Sequence, residues 1–264
     1  MMERFAGRVA IRIGDVIAPL PVPAPIQNEV DAMWRAVFGR LDLPALRDQF
    51  FADGEFLMLD RLVPAALVER ALAEIDDARP TRSKVPFVRA ARHVGWRTLQ
   101  RIAPISTALY KSSVFIDWMT ELVGQPMQLK HPSDDHACAT YEYERAGDHM
   151  RFHYDTCGCD DGASYSQLLS LHDRSTQRLV VDLHTTDGKP IERRTLQTLP
   201  GTLTLFCGSK VWHAVSPLGR HERRVILSMS YATDPSMTPW RWLYENVKDA
   251  LLYFGPLSLI KGDR

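Results

Sequence analysis

Apolar positions along the chain change their spacing near residue 54 and again near residue 126. Val30, Met33, Trp34, Val37 and Phe38 fall three and four apart, which predicts one face of a helix from Glu29 to about Phe38, capped by Asn28. Ahead of it, Val9-Ala-Ile-Arg-Ile13 reads as a short strand. Pro19-Leu-Pro21-Val-Pro23-Ala-Pro25 reads as an extended, semi-rigid stretch. At this level the region is either an added arm or a wall against the rest of the molecule. Glu55-Phe-Leu-Met-Leu59 is then a strand, and Pro64 opens a helix striped by Leu67, Val68, Ala71, Leu72 and Ile75. The change predicts an N-terminal extension over 1–53 and a domain over 54–264.

Residues 79–100 are basic and irregular, with Arg79, Arg82, Lys84, Arg89, Arg92 and Arg97. Such a run reads as a solvated loop, or as a segment facing the substrate in which an Arg, such as Arg97, receives a carboxylate. Residues 104–123 predict one helix, with Leu109, Phe115, Ile116, Met119 and Leu122 apolar and Gly124 ending it. Strand patterns follow at 126–130, 137–144, 149–154, 166–172, 178–184, 192–198, 201–206, 212–215 and 223–231. Short strands at that spacing predict a mainly β chain with flanking helices, closed or sandwiched. Trp240 to Tyr253 reads as a helical tail.

Composition narrows the function classes. Lys+Arg and Asp+Glu both number 32, so no basic excess points to nucleic acid. No apolar run reaches the ~18–20 residues of a membrane helix. Arg4, Arg8, Arg12 and Asp15 interrupt any apolar leader, which leads us to expect a cytoplasmic protein. The four Cys (138, 157, 159 and 207) are then expected as free thiols. Cys157-Gly-Cys159 lacks the second ligand pair of a zinc site and reads as a loop. A homodimer stays open.

The candidate chemistry sits at His153-Tyr154-Asp155 and Trp212-His213-Ala214-Val215. On an extended segment, residues two apart point to the same face, so His153 and Asp155 converge. With His213, they make the two-imidazole, one-carboxylate facial set of non-haem Fe(II) sites. Around them the chain reads Tyr143-Glu-Arg-Ala-Gly147-Asp-His-Met-Arg-Phe-His153-Tyr-Asp155, then His213-Ala-Val215-Ser-Pro217, then Arg223-Arg224-Val-Ile-Leu-Ser-Met-Ser-Tyr231.

From about Cys138 to Thr233 this order resembles the prolyl 4-hydroxylase-like 2-oxoglutarate/Fe(II)-dependent oxygenases. The resemblance implies a double-stranded β-helix (jelly-roll, cupin-like) core, with Fe(II), 2-oxoglutarate as co-substrate, and O2. His153, Asp155 and His213 would be the metal ligands and catalytic residues. An Arg opening the last strand would hold the far carboxylate of 2-oxoglutarate. Both Arg223 and Arg224 stand there. Strand parity favours Arg224, because Ile226, Ser228 and Ser230 then face inward while Val225, Leu227, Met229 and Tyr231 pack outward. Tyr143 matches the Tyr that hydrogen-bonds the co-substrate, with Ser228 beside it. Tyr141, Arg97, Ser230 and Trp240 are candidates for substrate contact. The Gly-Gly frequent in the family is replaced by Thr176-Gln-Arg-Leu179. The resemblance further implies a dioxygenase, expected to hydroxylate a small molecule such as a free amino acid or biosynthetic intermediate. Asp155 stands where related halogenases carry Gly or Ala, which points away from chlorination. The alternatives are a protein or peptidyl hydroxylase, and a catalytically inactive metal-binding partner protein on the same fold.

Overall fold

The structure, a computed structural model, describes residues 20–78, 80–85, 88–155, 162–185 and 187–249. The Val9–Ile13 strand, the Cys157/Cys159 loop and the tail beyond Asp249 lie outside the described residues.

The N-terminal helix α1 runs Ala24–Phe38, starting five residues upstream of the expected Glu29. Pro25 explains the earlier start. It sits in the first turn, where its missing N–H and fixed φ cost nothing. Val30 and Trp34, one turn apart, have no exposed surface. Trp34 stacks on Phe38 with ring centroids 4.9 Å apart and packs on Phe115 at the same distance. Phe38 in turn stacks on Trp118 at 4.5 Å. α1 and the next helix, α2 (Leu43–Ala52), therefore form a wall that shares one apolar core with the later elements.

Strand β1 (Phe56–Leu59) and helix α3 (Ala65–Asp76) follow as expected, with Leu67, Val68, Ala71 and Ile75 buried. Where a solvated loop or a substrate-facing segment was expected, the described residues between 80 and 102 are regular. They form an antiparallel hairpin of β2 (Thr81–Val85) and β3 (Arg89–Val94), followed by helix α4 (Trp96–Ile102). Its alternation escapes a hydrophobicity scan because each face of β3 carries a cation, Arg89 with His93 on one and Arg92 on the other. The single helix expected over 104–123 is two, α5 (Pro104–Lys111) and α6 (Ser113–Val123). Ser112 separates them by turning extended and accepting a hydrogen bond from the Phe115 N–H at 3.3 Å, a side-chain cap. Gly124 ends α6 with φ 78, a conformation that suits Gly.

All nine expected strands are present: β4 (Gln128–Leu129), β5 (Cys138–Tyr143), β6 (His149–His153), β7 (Ser164–Arg174), β8 (Leu179–His184), β9 (Pro190–Leu196), β10 (Leu203–Cys207), β11 (Trp212–Val215) and β12 (Arg223–Ala232). Helix α7 (Pro239–Asp249) closes the described chain. The strands pair antiparallel in the order β1-β10-β7-β12-β5-β3-β6-β11-β8-β9, with β2 added on β3 and β4 on β12. Alternation gives this sheet two faces. Leu203 and Leu205 of β10, Leu169 and Leu171 of β7, and Val225, Leu227, Met229 and Tyr231 of β12 join the helices in the main core. From the opposite face, Phe56 of β1 and Phe206 of β10 pack on Leu179, Val181 and Leu183 of β8. β10 and β8 lie near opposite ends of the pairing order, so the sheet curls until its ends face each other. That is a jelly-roll, the double-stranded β-helix.

None of the described helices is long and apolar enough to cross a membrane. α7 differs from the other helices. Trp240, Leu243, Tyr244 and Val247 are exposed on it, and none of its described residues is buried.

If α1 is part of the wall, Trp34→Ala should destabilise the protein by about 3–5 kcal/mol, as for other large-to-small changes in packed cores. Urea denaturation measures this. A loss below ~1 kcal/mol would make α1 an appended arm.

Candidate metal centre

β6 and β11 are antiparallel neighbours, and His153 stands directly opposite His213. Directly paired side chains share a face, so the two imidazoles meet with ring centroids 4.2 Å apart. Asp155, just past the end of β6, is held by two bonds. Its N–H donates to the Gly208 carbonyl at 2.9 Å, and its Oδ2 accepts from the Ser166 hydroxyl at 2.7 Å. Gly208 has to be Gly for this approach: a Cβ there would meet the Asp155 carbonyl oxygen at 2.3 Å and its Cβ at 2.8 Å.

Each imidazole donates from Nδ1 to a backbone carbonyl two residues earlier, His153 to Arg151 at 2.8 Å and His213 to Val211 at 3.1 Å. That fixes the tautomer and leaves Nε2 as the lone-pair nitrogen, as metal-ligating His requires. The His153 Nε2 is 3.2 Å from Asp155 Oδ1, and the His213 Nε2 is 3.7 Å from Asp155 Oδ2. The three ligand atoms lie within 4.8 Å of one another, the one such metal-compatible group among the described residues. Burial would push the Asp155 carboxyl up. His213, His153 and the Ser166 hydroxyl outweigh it and hold the carboxyl well below the usual range. Burial pushes the His213 imidazole down, toward its neutral form. An ionised carboxylate with a neutral imidazole is the protonation state that binds a divalent ion.

His153 and Asp155 open on a cavity of about 190 Å³, also lined by Tyr141, Ser228 and Ser230 among others. Ser228 and Ser230 thus face inward, as the parity of β12 demands. Arg224, on the same face, is 1% exposed and lies opposite Tyr143 on β5. Its Nη2 donates to Thr198 Oγ1 at 2.9 Å, and its Nε is 3.9 Å from Asp173 Oδ2. Its Nε and Nη1 find no hydrogen-bond partner among the described residues.

Three sequence expectations are corrected. Arg223 does not face the cavity: it points outward and pairs with Glu142 and Asp76. Arg97 is buried in α4 in an ion pair with Asp135 at 2.6 Å, away from the cavity lining. Trp240 is 78% exposed and lies outside the lining; Glu245 and Lys248, from the other side of α7, take part in it.

No family model and no curated protein matches the sequence. Solved structures match by shape. The epimerase SnoN in complex with Fe3+, alpha ketoglutarate and nogalamycin RO is 15% identical, with a TM-score of 0.57 over 73% of this chain and 83% of that one. A prolyl hydroxylase from Trichoplax adhaerens, in complex with a hypoxia inducible factor peptide fragment, is 14% identical, with a TM-score of 0.56 over 83% and 94%. HygX from Streptomyces hygroscopicus, with nickel and 2-oxoglutarate bound, is 12% identical, with a TM-score of 0.54 over 70% and 85%. The fold is that of the 2-oxoglutarate/Fe(II) oxygenases.

Within this oxygenase fold, the sequence left several neighbours of the triad unmarked. Ser166 and Gly208 shape Asp155, and Thr198 anchors Arg224. Arg89 and Lys130 line the cavity. Ser166 could have been found by parity, since it lies on the inner face of β7. Nothing in the local sequence marks Gly208 or Thr198, which reach the site only through pairing of distant strands. Gly208→Ala should force Asp155 out of place and weaken Mn(II) binding at least ~10-fold, as loss of outer support around metal ligands does. Calorimetric titration with Mn(II) reads this directly, and unchanged affinity would remove Gly208 from the site.

Proposed function

We propose that this protein is an Fe(II)- and 2-oxoglutarate-dependent oxygenase that hydroxylates a small molecule. The observation that supports it most is the His153–Asp155–His213 group opening on the cavity, with the buried Arg224 on the same inner face holding unused N–H donors. The donor set suits Fe(II). A guanidinium with free N–H donors in a dry site suits the far carboxylate of 2-oxoglutarate. SnoN and HygX, which share the fold, are described with 2-oxoglutarate bound and with Fe3+ or nickel.

When bound, iron and 2-oxoglutarate supply an O2-driven oxidation in which 2-oxoglutarate leaves as succinate and CO2 and one oxygen atom goes to the substrate. The chain's own residues do the positioning. His153, Asp155 and His213 would hold the ion. Arg224, kept in place by Thr198, and Tyr143 opposite it would orient the co-substrate, with Ser228 further along the same face. Burial keeps the Tyr143 hydroxyl protonated, hence a hydrogen-bond donor. The cavity, about 190 Å³, supports a small substrate over a large one.

His153→Ala and His213→Ala should each abolish succinate formation from 2-oxoglutarate while leaving the far-ultraviolet circular dichroism unchanged, because ligands on a rigid barrel serve function more than stability. Full turnover in either variant would sink the reading. Arg224→Ala should raise the 2-oxoglutarate KM at least ~30-fold, the size of a lost buried charge-assisted bond of roughly 2–3 kcal/mol. Arg223→Ala, whose partners are Glu142 and Asp76, should change it little. Because Asp155 occupies the position a halide would need, wild-type protein in chloride buffer should give an oxygenated product without a chlorine isotope pattern in its mass spectrum.

A further inference from the structure

The N-terminal wall reaches toward the metal centre through Glu55, on the link between α2 and β1. Glu55 is 5% exposed, and its backbone holds φ 63, a left-handed conformation uncommon outside Gly. Such strain persists where surrounding contacts impose it. The Glu55 N–H donates to the Phe50 carbonyl at 2.8 Å, and the Glu55 carbonyl accepts from the Cys207 N–H at 3.0 Å. Its Oε2 accepts from the Tyr165 hydroxyl at 3.1 Å, and its Oε1 pairs with the Lys210 ammonium. Cys207 and Lys210 belong to the turn that joins β10 to β11. The N–H groups of Lys210 and Val211 both donate to the Cys207 carbonyl at 3.1 Å, which closes that turn. Two further carbonyls of the turn orient metal ligands: Gly208 receives the Asp155 N–H, and Val211 receives the His213 Nδ1–H. Tyr165 stands opposite Cys207 in the pairing of β7 with β10, and the next residue, Ser166, holds Asp155 Oδ2.

We propose that Glu55 is a positioning residue for the metal centre: by clamping Tyr165 and Lys210 it sets the β10–β11 turn, and through that turn the orientation of Asp155 and His213. This rests on the reading of His153, Asp155 and His213 as metal ligands and deepens it. The clamp is carried by the link that leaves α2, so the N-terminal wall takes part in shaping the site. Asp53, two residues earlier on that link, pairs with Arg194 of β9 at 2.7 Å, so its loss loosens the wall without cutting the clamp.

The test titrates full-length protein with Mn(II) by calorimetry and, in parallel, loads it with Co(II), whose visible absorption bands report ligand geometry. Glu55→Gln keeps the shape of the side chain and an oxygen for Tyr165 but removes the charge that holds Lys210. It should weaken Mn(II) binding about 10-fold, the low end for loss of outer support around metal ligands, and shift the Co(II) bands. Lys210→Gln, at an exposed position, should do the same without disturbing the core, while Lys210→Arg should keep both readings at wild type. Asp53→Asn should lower the urea midpoint and leave Mn(II) affinity and the Co(II) bands unchanged. Wild-type Mn(II) affinity in Glu55→Gln or in Lys210→Gln would reduce the clamp to a structural anchor and overturn the proposal. So would an Asp53→Asn variant that loses Mn(II) affinity as much as they do. A wild-type protein that binds no Mn(II) would bring down the metal-centre reading itself, and the clamp's role with it.

Discussion

The site depends on one strand register. His153 on β6 faces His213 on β11, and Asp155 can join them only because it lies two residues beyond His153 on the same chain. A slip of one residue in that pairing would turn His213 to the other face and leave the carboxylate with one imidazole. The register is secured from both sides. β11 is sandwiched between β6 and β8, and Phe206 of the opposing layer packs against the His213 ring with centroids 4.7 Å apart. The neighbouring strands' apolar residues thus fix the ring that the chemistry uses.

The curled sheet divides its two faces between stability and function. The apolar residues of the outer face share one core with the N-terminal and central helices. The inner face mixes an apolar floor of Phe56, Phe206, Leu179, Val181 and Leu183 with buried Arg224, Ser228, Ser230 and His213 and the half-buried His153 and Asp155. Burying those groups is unfavourable by itself. The structure tolerates them because the outer core is large and because most have a fixed partner, such as Ser166 for Asp155 and Thr198 for Arg224.

Most of this could be read from the chain. The strands of the barrel were legible because their alternation is clean, and the inward placement of Arg224 rather than Arg223 followed from parity along β12. What failed did so for definable reasons. The β2–β3 hairpin looked like a solvated loop because its inward positions carry Arg89 and His93, and a cation facing a cavity cannot be told from one facing water by composition. Arg97 was misplaced for the same reason: its partner Asp135 is far along the chain and invisible to local pattern. The break at Ser112 depends on a cap that a run of apolar spacing does not disclose. Gly208 matters through an atom it lacks, and that is apparent only once Asp155 lies against it.

Helix α7 inverts the usual amphipathic arrangement. Glu245 and Lys248 look into the cavity, and Trp240, Leu243, Tyr244 and Val247 look outward. The free energy that holds a surface helix down comes chiefly from its apolar stripe, and here that stripe is largely exposed. Elements with few buried apolar contacts open far below the global unfolding free energy. Two charged residues of the cavity lining thus stand on the helix that adds least to the fold beneath it, so that part of the lining can change with little effect on the stability of the barrel.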